Sequence, residues 1–345
     1  MKSPLQYVRP NILALAPYST ARDEYKGGDI TTWLDANESP YDNGVNRYPD
    51  PHQKALKALL SEIKGMPVSQ IFVGNGSDEA IDLVFRIFCT PGQDNAVAIA
   101  PSYGMYAVSA ATNDIALKEV CLNADFSLPV EALLKACDAH TKVMWVCSPN
   151  NPTGNAFDMA VLEDLADRFD GILVVDEAYA DFSERGSLLS VLDRHPNLIV
   201  LQTLSKAWGM AGLRLGLAFA HTDIATLFAR VKYPYNVNGP TQLTVMQHLR
   251  AGIREQVEEI KRERERLAHV LPTLKVVEAV YPTDANFFLI RTADADAVYD
   301  HLIARGIIAR NRTRMPLCQG CLRITIGTPQ ENDLLLQALA DFPQL

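Results

Sequence analysis

The chain has 345 residues and a formal net charge of −9, with 48% hydrophobic and 21% charged residues. That length is more than one compact domain usually holds, and the composition is that of a folded globular protein. The acidity argues against a nucleic-acid binder and the lack of any apolar run of about 18 residues against a helical membrane span, while small anions can still bind a local arginine cluster.

The N-terminal stretch "MKSPLQYVRPNILAL" has Pro and Arg where a signal peptide needs an apolar centre. The six scattered cysteines, at 89, 121, 137, 147, 318 and 321, are therefore expected as reduced thiols in the cytoplasm. The first forty or so residues, rich in Pro, Asn and Gly, read as an arm. Short apolar runs then end in small or polar residues: "IFVGNGSDE" from 71, "NAVAIAPSY" from 95, "VMWVCSPNNPTG" from 143, "ILVVDEAY" from 172 and "LIVLQTLSK" from 198. Apolar runs without alternation predict strands covered on both faces, and helical patterns between them, such as "DMAVLEDLADRFD", predict a largely parallel sheet. After about Pro234 the pattern changes. "IREQVEEIKRERERLAHVL" predicts a long amphipathic helix with its charges on a solvated face. "ANFFLIR" and "CLRITIGT" predict strands, separated by the helical "DADAVYDHLIARG". The expected organisation is an α/β protein with an arm and part of a small domain in 1–44, a large α/β domain in 45–240 and a small α+β domain in 241–345.

Ligands of open parallel sheets bind at the carboxyl ends of the strands. Each predicted strand ends in polar groups: Gly76-Ser77-Asp78, Tyr103, Asn151, Asp176 with Tyr179, and Ser205-Lys206. "GNGSDEAIDLVF" is a glycine turn entering a helix, which either holds a phosphate on open N–H groups or is capped by Ser77 or Asp78. A carboxylate at Asp176, closing a buried strand, needs a partner: an ion pair, a cap, or a protonated ring nitrogen. Lys206 closes an apolar strand, where lost hydration lowers its pKa and frees the amine to attack an aldehyde. Asp176 and Lys206 stand about one βαβ step apart, which predicts neighbouring strands. Gly209 and Gly212 are expected to let the backbone turn between Lys206 and Arg214.

"SPNNPTG", "DEAY", "SKAWGMAGLRLG" and "CLRITIGT", preceded by "VRPNILALAPYSTARD", "LDANESP", "NRYPDP", "GNGSDE" and "PSYGMY", resemble the motif series of the fold-type I, pyridoxal-phosphate-dependent aminotransferases, in particular the histidinol-phosphate aminotransferases. The strings run in the family's order over nearly the whole chain. The resemblance implies a mostly parallel central sheet covered by helices, pyridoxal 5'-phosphate as cofactor, and transamination between L-histidinol phosphate and 2-oxoglutarate. It makes Lys206 the Schiff-base lysine and proton shuttle, and Asp176 the partner of the pyridinium nitrogen. Tyr179 and Asn151 would bond the ring hydroxyl, and Tyr103 would lie on the ring. Gly76, Ser77, Asp78, Ser205 and Arg214 would hold the phosphate, with Tyr48 of a second subunit, which implies a homodimer with shared sites. Arg323 would take the carboxylate of glutamate or 2-oxoglutarate and Arg310 the phosphate of histidinol phosphate, with Tyr18 and Asn37 as further substrate contacts. Ser39 departs from the family's usual residue and leaves the Asn37 segment open, as the cis or trans state of Asn151–Pro152 is left open.

Arg312 and Arg314 are expected to be solvent-exposed, only raising local positive charge. Cys318 and Cys321 form one C-x-x-C, too few ligands for zinc, and no metal is expected. An aromatic amino-acid aminotransferase and a threonine-phosphate decarboxylase of the same fold remain alternative readings. A metabolite-sensing regulator would need a basic DNA-binding segment, which the chain does not show.

Overall fold

The computed structural model of the protein describes residues 3–25, 27 and 30–343. A seven-stranded sheet contains β1 (Ile71–Asn75), β2 (Asn95–Ala100), β3 (Ala116–Cys121), β4 (Thr141–Cys147), β5 (Ile172–Asp176), β6 (Leu198–Thr203) and β7 (Leu215–Ala220). Its order is β1-β7-β6-β5-β4-β2-β3. The pairs from β3 through β6 are parallel, whereas β7 runs antiparallel to both neighbours, β6 and β1. The fold is thus the expected mostly parallel α/β sheet flanked by helices.

Side chains alternate across a strand, so each continuous apolar run feeds two cores. Val73, Val146, Val175 and Val200 pack into one cluster, while Phe72, Trp145, Val174 and Ile199 pack into another on the opposite face. Part of the N-terminal arm joins the second core: Val8 and Ile12 are buried in it, and the Arg9 N–H donates to the Ile87 carbonyl at 3.0 Å. β3 and β7 are not among the runs read from the sequence. β3 is a half-exposed edge strand carrying Lys118 and Glu119, and "LGLAFA" of β7 is short and rich in small residues.

A second, antiparallel sheet contains β8 (Val277–Val280), β9 (Phe287–Thr292), β10 (Arg310–Asn311) and β11 (Cys321–Thr325), in the order β10-β11-β9-β8. Phe288, Ile290 and Leu322 share a core with Leu267, Val298 and Leu335 from the helices Arg254–Val270, Ala295–Ala304 and Pro329–Ala340. The long charged helix is present, but its charges are not all solvated. Glu263 is buried, accepting from Arg266 Nη2 at 2.7 Å and from Asn332 Nδ2 at 2.7 Å, which ties the helix to the last one.

At one edge of the large sheet the parallel strands β4, β5 and β6 end together, and β7, running the other way, begins there. β1 reaches this edge too, since Gly76 just beyond it bridges Leu215 at the start of β7.

Candidate active site

The helix Ser77–Phe88 starts at this edge, with Gly76 as N-cap at φ 77° and no side chain capping it. The plain-cap reading of Ser77 and Asp78 does not hold, and the first N–H groups stay open to an anion. The turn is seated by Gly216. A Cβ there would lie 2.0 Å from Ser77 N and 2.3 Å from the Gly76 carbonyl carbon, both backbone atoms that cannot yield cheaply. Gly216→Ala is therefore expected to cost roughly 3 kcal/mol of stability or more and to weaken phosphate binding at the turn. Urea unfolding at the wild-type midpoint would show that this approach does not matter.

A cavity of about 150 Å³ opens beside the turn. β5 brings Asp176 to it and, three residues on, Tyr179; the loop after β4 brings Asn151; the segment after β6 brings Ser205 and Lys206. Ser77, Asp78, Tyr103 and Arg214 complete the predicted set that lines it, with Gly76 directly behind Ser77. Arg214 arrives because β7 is antiparallel: it precedes that strand, in a left-handed conformation at φ 53°. Gly209 does take a positive φ, at 63°, but Gly212 does not and has open space around it, so only one of the two glycines is needed for the turn.

Asp176 is 3% exposed, and burial raises its pKa to about 6. The Tyr106 hydroxyl donates to Oδ2 at 2.8 Å and the Ala178 N–H to Oδ1 at 3.1 Å, both opposing that rise. Among the described residues no cation pairs with it. Tyr106 was not singled out in the sequence; it lies one helical turn after Tyr103 in "PSYGMY", which is the signal that could have found it. Lys206 borders the cavity with its pKa lowered, first by lost hydration and then by the charge of Arg323, while Asp176 and Asp78 oppose the fall. Its Nζ lies 5.7 Å from the centroid of the Tyr179 ring. Burial also drives the phenol of Tyr179 upward, keeping it protonated as a donor.

The Asp78 side chain is a carboxylate and cannot itself hold a phosphate. It accepts from the Tyr103 hydroxyl at 3.1 Å and from Arg214 Nη2 at 3.4 Å, which ties both side chains to the turn. Asn151, joined to Pro152 by a cis bond, accepts at Oδ1 from Arg323 Nη1 at 2.5 Å. That contact reaches from the small sheet to the large one. Arg310 stands directly opposite Arg323 in the β10–β11 register and is exposed.

Tyr48, Asn37 and Tyr18 do not border this cavity. Tyr48 and Asn37 line a separate surface depression, Tyr48 stacking on Tyr235 at 4.3 Å between centroids, and Tyr18 is 70% exposed. Arg314 is exposed as expected, whereas Arg312 is only partly exposed, with its Nε buried.

The donor set suits a flat cationic ring carrying a phosphate. One cavity brings together a buried carboxylate that forms no salt bridge among the described residues, open helix N–H groups, Ser205 and Arg214. The chain matches the profile of the aminotransferase class I and II family over residues 21–339. A histidinol-phosphate aminotransferase of Parabacteroides distasonis is 52% identical over 98% of this chain and 99% of its own. Among solved structures, the histidinol-phosphate aminotransferase from Clostridium acetobutylicum superposes with a TM-score of 0.79 at 22% identity, covering 86% of this chain and 90% of that one. The one from Sinorhizobium meliloti, in complex with pyridoxal-5'-phosphate, superposes with a TM-score of 0.78 at 24% identity over 86% of this chain and 82% of that one.

Proposed function

The chain belongs to the class I and II aminotransferase family and within it to the histidinol-phosphate aminotransferases, and on that premise we propose how its residues carry out the reaction. The enzyme moves the amino group of L-histidinol phosphate to 2-oxoglutarate, giving imidazole-acetol phosphate and glutamate. The observation that carries this reading is an amine of lowered pKa, Lys206, sharing one cavity with a buried carboxylate, Asp176, that forms no salt bridge among the described residues.

Pyridoxal phosphate, when bound, supplies an aldehyde and a ring that accepts the electron pair released at the substrate α-carbon. Asp176 would hold the proton on the ring nitrogen. Asn151 Nδ2 and the Tyr179 hydroxyl would bond the ring oxygen, with Tyr103 beside the ring. The N–H groups of Ser77 and Asp78, the Ser205 hydroxyl and Arg214 would hold the phosphate. Lys206 Nζ, with its lowered pKa, takes the proton from the substrate α-carbon and hands it on. Arg323 takes the carboxylate of the second substrate as a planar fork, and Arg310 takes the phosphate of the first.

Tyr48 stands outside this cavity on an exposed surface, which supports a role in a second subunit's site and hence a homodimer. Six free cysteines support a reducing compartment, the cytoplasm. Spectroscopy of the cofactor-loaded protein tests the function: histidinol phosphate, phenylalanine and threonine phosphate are added separately, and histidinol phosphate is expected to bleach the visible band fastest. Faster bleaching by phenylalanine, or carbon dioxide release from threonine phosphate, would replace this reading by one of its relatives. Arg310→Ala is expected to raise KM for histidinol phosphate by about tenfold while leaving glutamate nearly unchanged. An equal loss with glutamate would show that the two arginines do not divide the substrates.

A further inference from the structure

The hairpin that carries Arg310 and Arg323 carries one more guanidinium. The Arg312 N–H donates to the Cys321 carbonyl at 2.9 Å, continuing the β10–β11 ladder one residue past Asn311. Residues two apart on a strand share a face, and directly opposed residues share it too. Arg310, Arg312 and Arg323 therefore project from one face of the hairpin, the face on which Arg323 reaches Asn151 and lies 5.3 Å from the centroid of Phe287.

Three like charges on one sheet face oppose folding unless an anion joins them. Among the described residues none of the three forms a salt bridge with a carboxylate, and the Arg312 side chain makes no hydrogen bond. The Nε atoms of Arg312 and Arg323 are both buried without an acceptor. Burial, then the charges of Arg323 and Arg310, lower the pKa of Arg312 to about 10, so it remains charged at neutral pH. A solvated surface arginine has none of these properties.

We infer that Arg312 is a specificity-determining ligand of the substrate-anion site, engaging a phosphate monoester dianion and not the carboxylate of the second substrate. The inference rests on the reaction proposed above. A carboxylate offers two oxygens and one charge, which the fork of Arg323 satisfies alone. A phosphate monoester offers three terminal oxygens and two charges, so it can engage a further guanidinium on the same face after Arg323 and Arg310, as a carboxylate cannot.

The test compares Arg312→Gln and Arg312→Lys with the wild type as cofactor-saturated proteins. In steady-state kinetics, Arg312→Gln is expected to raise KM for histidinol phosphate at least about tenfold, to leave KM for glutamate within about twofold, and to be largely rescued by Arg312→Lys. In calorimetric titration with inorganic phosphate, the cofactor filling the other phosphate site, binding is expected to weaken by a similar factor in Arg312→Gln. Unchanged phosphate binding and unchanged KM overturn the inference. So does a parallel rise of both KM values with no rescue by lysine, the pattern of a residue that only supports the loop. If the wild type does not turn over histidinol phosphate, the reaction assignment fails, and the phosphate titration still decides whether Arg312 binds the dianion.

Discussion

Lys206→Ala is expected to lower kcat by roughly 10⁴-fold while leaving the circular dichroism spectrum unchanged. Losing a positioned acid–base group costs up to about that factor, and on the proposed mechanism the same amine would also hold the cofactor's aldehyde. Lys206 borders the cavity and is exposed, so its removal opens no void in the cores. Borohydride treatment of the cofactor-loaded wild type, followed by peptide mapping, should place the reduced adduct at residue 206, and the alanine variant should yield none. Substantial turnover in the variant, or an adduct mapped to another lysine, would remove the basis of the catalytic assignment.

Asp176→Asn is expected to reduce kcat by about 10²- to 10⁴-fold and, in the cofactor-free protein, to raise stability near neutral pH. The first effect follows, on the proposed mechanism, from losing the anion that would keep the ring nitrogen protonated. The second follows from linkage. Burial raises the folded-state pKa of Asp176 to about 6, against about 4 in an unfolded chain. Between those values the folded state binds a proton that the unfolded state has lost, so stability falls as pH rises from about 4 to about 6. Above pH 6 the wild type carries the whole penalty, about 3 kcal/mol from the difference in proton affinity. Asparagine is spared this cost but cannot accept from both Tyr106 and the Ala178 N–H through its single oxygen, which leaves a net gain of the order of 2 kcal/mol. Urea unfolding of both cofactor-free proteins from pH 4 to pH 8 checks it. The advantage of the variant should shrink as pH falls toward 4, and an advantage independent of pH would show that Asp176 is not the group responsible.

Much of the site was legible in the residues themselves. A carboxylate closing the apolar run "ILVVD" needs a partner, so Asp176 stood out before any geometry was known, whereas Lys206 follows a run that already holds Gln202, Thr203 and Ser205 and stood out by its order and spacing relative to Asp176. The order of motifs then placed Asn151, Tyr179, Ser205 and Arg214 beside them. Tyr106 was not legible as a partner of Asp176, because a tyrosine in a helical apolar pattern reads as core, and its ring is set by Trp145 of β4 and by Tyr103, which pack against it. Arg312 was misread for a similar reason: in sequence it is one of four basic residues around a turn, and only the β10–β11 register separates it from Arg314.

The class of fold was thus determined by the chain alone, because hydrophobic periodicity is a local property that a linear sequence displays, and the chemistry was implied by the resemblance of its ordered motifs to those of the family. The convergence of the site was decided by tertiary structure. Arg214 reaches the edge shared by Asp176 and Lys206 only because β7 runs against its neighbours, and the phosphate turn seats only because Gly216 lets another strand approach it. Strand direction and close backbone approach depend on residues far apart in the chain, so no short window of sequence contains them.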